Sequence, residues 1–128
     1  MSKYIEKVEN MILPAIPLRG LVIFPNVPTS FEINRKRSIK AMQAAAVYGG
    51  NVFLAAVKNA DKPDEKPEMY TMGVVAKIKQ SLKLPDGSYR ILIDAKTRAE
   101  MTEIVSDEEY TRVSVLTQSV YLTDNSSV

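Results

Sequence analysis

The sequence contains no cysteine and no histidine. Those two absences exclude thiolate nucleophiles, disulfide bridges, cysteine or histidine zinc sites, and every catalytic triad that uses imidazole as its base. Glycine is sparse, with five residues at positions 20, 49, 50, 73 and 87. None stands in the Gly-x-x-x-x-Gly-Lys-Ser/Thr spacing that brings backbone N–H groups and a lysine onto phosphate, and dinucleotide-binding spacing is missing as well. No stretch approaches the roughly 20 apolar residues that cross a bilayer. The opening segment mixes Lys3, Glu6, Lys7 and Glu9 with no apolar signal region behind it. A cytoplasmic location with no membrane partner is expected. Charge of one sign is also lacking: 17 basic and 15 acidic side chains leave a net charge of +2, a weak overall field. Nucleic-acid binding would therefore need a local patch.

What is present is 128 residues, 45% apolar and 25% charged, enough to bury one core and too few for two. Met11–Leu18 is apolar but carries Pro14 and Pro17, which cannot donate to a ladder, so an edge or irregular strand is expected. Leu21–Phe24 reads as a short extended piece closed by a loop through Pro25 and Pro28. Thr29–Ile33 alternates as a second strand. Asn34 is a plausible N-cap for an amphipathic helix over Arg35–Tyr48, with Ile39, Met42 and Ala46 at helical spacing and Gly49-Gly50 as its stop. Three cations at the positive end of the helix dipole oppose it, so packing must supply its stability.

Asn51–Lys58 is a nearly continuous apolar run and predicts a central strand buried on both faces. Asn59–Glu68 is polar with two prolines and predicts a mobile loop. Met72–Leu84 and Ser88–Thr97 flank Pro85-Asp86-Gly87 and predict a β-hairpin. Met101–Val105 and Arg112–Tyr121 read as further strands around the acidic turn Asp107-Glu108-Glu109. The ends, 1–10 and 123–128, read as a flexible segment and a frayed polar tail or linker. The sum is an α+β domain, mainly β, of about six strands in a strongly bent sheet rolled into a partial barrel around one main helix, about residues 35–48.

The candidates for chemistry are few. The carboxylates of Asp61/Asp64/Glu65 and Asp107/Glu108/Glu109 fall in solvated segments, where nothing raises a pKa into the catalytic range. Ser38 with Lys40 and Ser81 with Lys83 are serine–lysine neighbours, but neither lysine has a reason to be neutral. The basic cluster Arg35, Lys36, Arg37 and Lys40 can contact phosphate or an acidic protein surface, or simply be a solvated helix start. No exposed aromatics flank it for base stacking, which favours protein over nucleic acid. Leu82 and Leu84 beside the hairpin tip either cap the core or form a small exposed apolar patch.

Taken in order, Leu13-Pro-Ala-Ile-Pro-Leu-Arg19, Phe24-Pro25, Arg35-Lys-Arg-Ser-Ile-Lys40, Val52-Phe-Leu-Ala55, Met72-Gly-Val-Val-Ala-Lys-Ile-Lys79, Leu82-Lys-Leu-Pro-Asp-Gly87 and Arg98-Ala99 resemble the N-terminal domain of the ATP-dependent Lon proteases over about residues 11–122. Asn34 and Asp94-Ala95 depart from the family's common glycine and Glu-Gly, and Pro28 is shifted relative to the usual proline of its loop. The resemblance implies a PUA-like pseudo-barrel with no catalytic residues and no cofactor of its own. ATP and Mg would belong to downstream modules of an ATP-dependent serine endopeptidase. It further implies unfolded or tagged protein substrates and other Lon subunits of a hexamer as partners. On that reading Arg35, Lys36, Arg37 and Lys40 are polar substrate contacts and Leu82 and Leu84 an apolar pair. A stand-alone PUA-like adaptor or RNA-binding module and a purely structural assembly domain remain alternatives, because fold alone does not fix function.

Overall fold

The computed structural model describes residues 2–59 and 67–124, with side chains described over 8–59 and 67–117. The elements are β1 (Ser2–Leu18), β2 (Pro28–Ile33), α1 (Lys36–Ala44) continued by a 3₁₀ turn (Ala45–Tyr48), β3 (Asn51–Ala56), β4 (Met72–Lys83), β5 (Tyr89–Asp107) and β6 (Thr111–Asp124). The strands form one sheet in the order β2-β5-β4-β3-β1-β6, and an additional β5–β6 pairing closes it into a pseudo-barrel. The 19 residues of β5 make closure possible: Tyr89–Asp94 pair with β2 while Ala99–Asp107 pair with β6. Met101–Val105, expected as a separate strand, is therefore the far part of β5. Irregularities near Thr102 and Val105 bend it onto β6.

β1 corrects the expectation of an edge strand, since it lies between β3 and β6. It changes partners, running antiparallel to β6 as far as Pro14 and parallel to β3 from Ala15. Leu18 O accepts from Val57 N at 3.0 Å, so by strand alternation Ile16 and Pro14 turn toward the β3 side and Pro17 turns away. Each proline thus faces the side on which no ladder runs at that point, and neither missing N–H costs a bond. Residues 2–10, expected to be flexible, form the first half of β1, and Thr123 and Asp124, expected to be frayed, end its ladder with β6. Residues 125–128 lie outside the described residues. So do residues 60–66 of the expected mobile loop. At that loop's ends Lys58 N donates to Glu68 O at 2.8 Å, and the two side chains form an ion pair at 3.4 Å.

β3 is the buried central strand its composition predicts. Val52 and Leu54 join a core with Ile16, Val74, Ile91, Ile93, Ala41 and Met42. Phe53 and Ala55 join a second one with Leu13, Val75, Val113 and Val115 on the other face. Asn34 does not cap α1. The cap position is Arg35, in extended backbone with no side-chain hydrogen bond, and the first turn holds no acidic residue. Burial of Ser38, Ala41 and Met42 holds the helix instead. Gly49, left-handed at φ 69°, ends the 3₁₀ turn, and Gly50 N donates to Ala45 O at 2.8 Å.

Candidate functional site

The basic helix start is not a free patch. Arg37 reaches across to the β5–β6 turn, where Nη1 donates to Glu108 O at 2.6 Å and Nη2 donates to the Asp107 carboxylate and, at 3.1 Å, to Thr111 Oγ1. Thr111 Oγ1 donates in turn to Asp107 Oδ1 at 2.7 Å. Lys40 Nζ lies 3.6 Å from Glu109 Oε1. The acidic turn, read in isolation as a solvated segment, and the basic cluster, read as polar contacts, are therefore partners within the chain. Arg37 and Lys40, expected as polar substrate contacts, are thus placed against the acidic turn. Lys36 is exposed, and Arg35 is half-buried at a cavity described below.

Leu82 and Leu84 do not join that cluster. Leu82 stands opposite Arg90 on the outer face of the β4–β5 hairpin, 56% exposed, beside Leu92 and Ser30 on a shallow groove of about 190 Å³. The neighbouring Ser81–Ile91 pair faces the other way, and Ile91 packs in the core that holds Ala41 and Met42 of α1. Leu84 is half-buried in the turn, where its N–H donates to Ser88 O and its carbonyl accepts from Gly87 N. At the tip, Asp86 accepts from Ser88 N at 3.0 Å and Ser88 Oγ at 2.6 Å. These two bonds, the side-chain one first, hold its carboxyl below the usual aspartate range. Asp94 is likewise lowered by its bond from Lys96 at 2.9 Å. Burial, then a hydrogen bond with Tyr48, pushes the Tyr110 phenol up.

A further group of exposed apolar side chains lies where sequence reading singled out no site residue. Leu21 and Ile23 turn inward from the β1–β2 connection, leaving Val22, Phe24 and Val27 exposed at 69, 57 and 48%. Met72 at the start of β4 is 52% exposed and shares a cavity of about 150 Å³ with Val22, Leu21, Gly73, Leu54 and Arg98. The connection is fixed rather than loose, because Asn26, at φ 66°, donates its N–H to Ala95 O at 2.8 Å and Val27 N donates to Phe24 O at 3.3 Å. The in–out alternation of Leu21-Val-Ile-Phe24 was the available signal: a strand-like pattern with no strand beside it leaves one side of the pattern uncovered. A second cavity, of about 390 Å³, meets the first along Leu18 and Leu21. Phe31, Ile33, Glu32, Arg35 and Ser38 line its other wall.

The fold is that of a small closed β-pseudo-barrel domain with exposed apolar side chains on its β1–β2 connection. The comparison with known proteins specifies which one. The chain belongs to the ATP-dependent protease La (LON) substrate-binding domain family, whose model matches residues 12–126. It is 40% identical over 108 residues to the Lon protease of Bacillus thuringiensis strain Al Hakam, covering 83% of this chain and 14% of that protein. Against the Lon protease of Solibacter usitatus it is 37% identical over 113 residues, covering 88% and 14%. The chain thus spans about one-seventh of these relatives. Among solved structures, the N-terminal domain of Mycobacterium avium complex Lon protease superimposes with a TM-score of 0.63 at 15% identity over 92% of this chain and 57% of that one. A Lon N-terminal domain protein from Xanthomonas campestris gives 0.57 at 15% identity over 89% and 60%. At that identity the structures speak to the fold, and they share it with this chain.

Proposed function

We propose that this chain is a non-catalytic recognition domain that binds exposed apolar segments of unfolded or damaged polypeptide. The observation that carries the reading is that exposed Val22, on the β1–β2 connection, and exposed Met72, at the start of β4, meet at one cavity lined also by Gly73. Phe24 and Val27 stand exposed farther along the same connection, which backbone bonds at Asn26 and Val27 hold in place. An apolar surface presented on a rigid frame loses little entropy when it binds. Apolar side chains are also what an unfolded chain exposes and a folded one hides. Each such contact is weak. In a hexameric ATP-dependent serine protease, six copies would raise the local concentration of binding sites and provide avidity without new contacts. That assembly, with its ATP and Mg sites in downstream modules and a cytoplasmic location, is the context we infer for the parent protein. Among the described residues no helix is long and apolar enough to cross a membrane.

The pairing of Arg37 with Asp107 and of Lys40 with Glu109 reduces the free basic surface that the RNA-binding alternative needs. The test is fluorescence anisotropy of this chain with a labelled, permanently unfolded polypeptide, with a folded protein and an RNA of similar length as controls, at two salt concentrations. Selective binding to the unfolded chain with modest salt dependence is expected. Binding that prefers RNA and falls steeply with salt would replace the reading, and self-association without any ligand binding would favour a purely structural role.

A further inference from the structure

We propose that unfolded polypeptide binds as an added strand on the open edge of β2, in a gap of the barrel wall between β2 and the end of β1. This rests on the polypeptide-binding reading above and names the form recognised: an extended segment with free backbone N–H groups and apolar side chains at every second position.

The gap follows from the pairing. β4 takes one edge of β5, and the other is shared by β2, along Tyr89–Asp94, and β6, along Ala99–Asp107. β6 in turn covers β1 only as far as Pro14, while β3 pairs with the opposite edge of β1 from Ala15 to Leu18. At the level of β2 the wall is therefore open. Among the described strands, β1 has no neighbour beyond Pro14 on the edge that β6 has left, and β2 has none on the edge away from β5. The cavity of about 390 Å³ lies in this gap, with Pro17, Leu18 and Arg19 on one side and Phe31, Glu32 and Ile33 on the other. A cavity over the face of a strand meets alternate residues, whereas one along its edge meets residues in succession.

The hairpin decides which backbone groups of β2 face the gap. Leu84 N donates to Ser88 O at 2.8 Å, so hydrogen-bonded pairs of the β4–β5 ladder recur at Leu82 with Arg90 and Gln80 with Leu92. The intervening Tyr89, Ile91 and Ile93 turn their backbone groups to the other edge, where they meet Ile33, Phe31 and Thr29. Ala95 continues that set, and its carbonyl accepts from Asn26 N. Ser30 and Glu32 therefore turn N–H and C=O away from β5. Among the described residues no backbone group bonds to them from that side. Donors and acceptors repeating at every second residue match another extended backbone, and no single ion or small ligand reaches them all. Phe31 and Ile33 pack on the inner side, so inward side chains of an added strand fall against Leu18 and Leu21. Leu21 also lines the Val22–Met72 cavity, which makes the two surfaces continuous. An unfolded chain supplies both unpaired backbone and apolar side chains, whereas a folded protein has already paired the first.

The experiment uses one labelled peptide of alternating apolar and polar residues in three forms: unmodified, N-methylated at the apolar positions, and N-methylated at the polar positions. Because alternate residues bond to opposite edges, one methylated form is expected to bind about tenfold more weakly than the other, and which one does so gives the direction of the added strand. Amide hydrogen exchange at Ser30 and Glu32 should slow at least tenfold when the unmodified peptide binds. Ser30→Pro removes an outward N–H and no ladder bond, and it should weaken the unmodified peptide several-fold. Equal affinities of the two methylated forms overturn the added strand and leave the polypeptide reading standing, whereas failure of the unmodified peptide to bind overturns both. Exchange at Ser30 and Glu32 that does not change on binding overturns the placement on β2. Exchange that is already slow without peptide and quickens on dilution assigns the edge to a second copy of this chain and overturns polypeptide as its occupant. The exchange and methylation readouts use the unaltered chain, so they decide the matter even if Ser30→Pro folds poorly.

Discussion

The carbonyl oxygen of Leu54 occupies the place where any residue larger than glycine at position 73 would set its β-carbon. A β-carbon on Gly73 would overlap that oxygen and come within 2.9 Å of Phe53 Cζ and 3.0 Å of Ala55 Cβ. The close approach of β4 to β3 at this point, and the floor of the Val22–Met72 cavity, both depend on the missing side chain.

Alanine in place of glycine within a strand ordinarily stabilises by reducing the freedom of the unfolded chain. Gly73→Ala is expected to do the opposite, because two of the three atoms met are backbone or a buried methyl that cannot swing aside. The loss should be about 1–3 kcal/mol, typical of overpacking, read from the midpoint of a urea transition at unchanged slope. A neutral or stabilising result would mean that the strands are not so close.

Arg37 ties the start of α1 to the turn between β5 and β6. Its side chain is 19% exposed and that of Asp107 33%, so the pair is better protected from solvent than an ordinary surface bridge. Arg37→Ala should cost about 1–3 kcal/mol, since hydrogen bonds from a charged donor to four acceptor atoms are lost together. A double-mutant cycle with Asp107→Asn should give a coupling above about 0.5 kcal/mol. Strict additivity would show that the two residues do not interact in solution.

Acid should loosen the hairpin tip. The carboxyls of Asp86 and Asp94 are held below their usual range by the bonds from Ser88 and Lys96. A depressed folded-state pKa stabilises above the unfolded value of about 3.9, and that contribution is lost as pH falls through the lower folded value. Carboxyl resonances of both residues, followed by NMR, should titrate below about pH 3.9, and Asp86→Ala should remove the tip's share of the acid sensitivity. A midpoint for Asp86 at or above the ordinary value would contradict the turn geometry.

Replacing Phe24 or Met72 by serine should weaken binding of an unfolded polypeptide about tenfold or more, as truncation of a large anchor at an interface does. Both side chains are more than half exposed, so stability should change by no more than about 0.5 kcal/mol. Leu82→Ser is the control on the outer hairpin face, and there little change is expected. If Leu82→Ser weakens binding and Phe24→Ser does not, the binding surface lies on the hairpin instead.

Much of the architecture was legible in the residues because it rests on local signals. The apolar run of β3, the proline-aspartate-glycine turn, the alternation of β4 and β5, and the Gly49-Gly50 stop are each decided within a few positions. The family resemblance was carried by such short stretches, and the comparisons bear it out. The readings that failed did so where the answer lies in a distant partner. Proline chemistry correctly forbids two ladder bonds in β1, but only the change of partner at Pro14 and Ala15 lets the strand sit inside the sheet. Asn34 has the right chemistry for a cap, yet the backbone becomes helical one residue later than that cap requires.

The candidate site divides the same way. The cations at 35–40 and the acids at 107–109 are evident in the sequence, but Coulomb attraction acts on distance in space. Only the closure of β5 onto β6 puts the acids against the helix start, pairing Arg37 and Lys40 and leaving Arg35 to face a cavity. Sequence alone determined which segments extend, turn and bury themselves, because backbone propensity and hydrophobic periodicity are local properties. The tertiary structure alone decided which charges are neutralised and which apolar side chains remain uncovered, because both depend on what arrives from the far end of the chain.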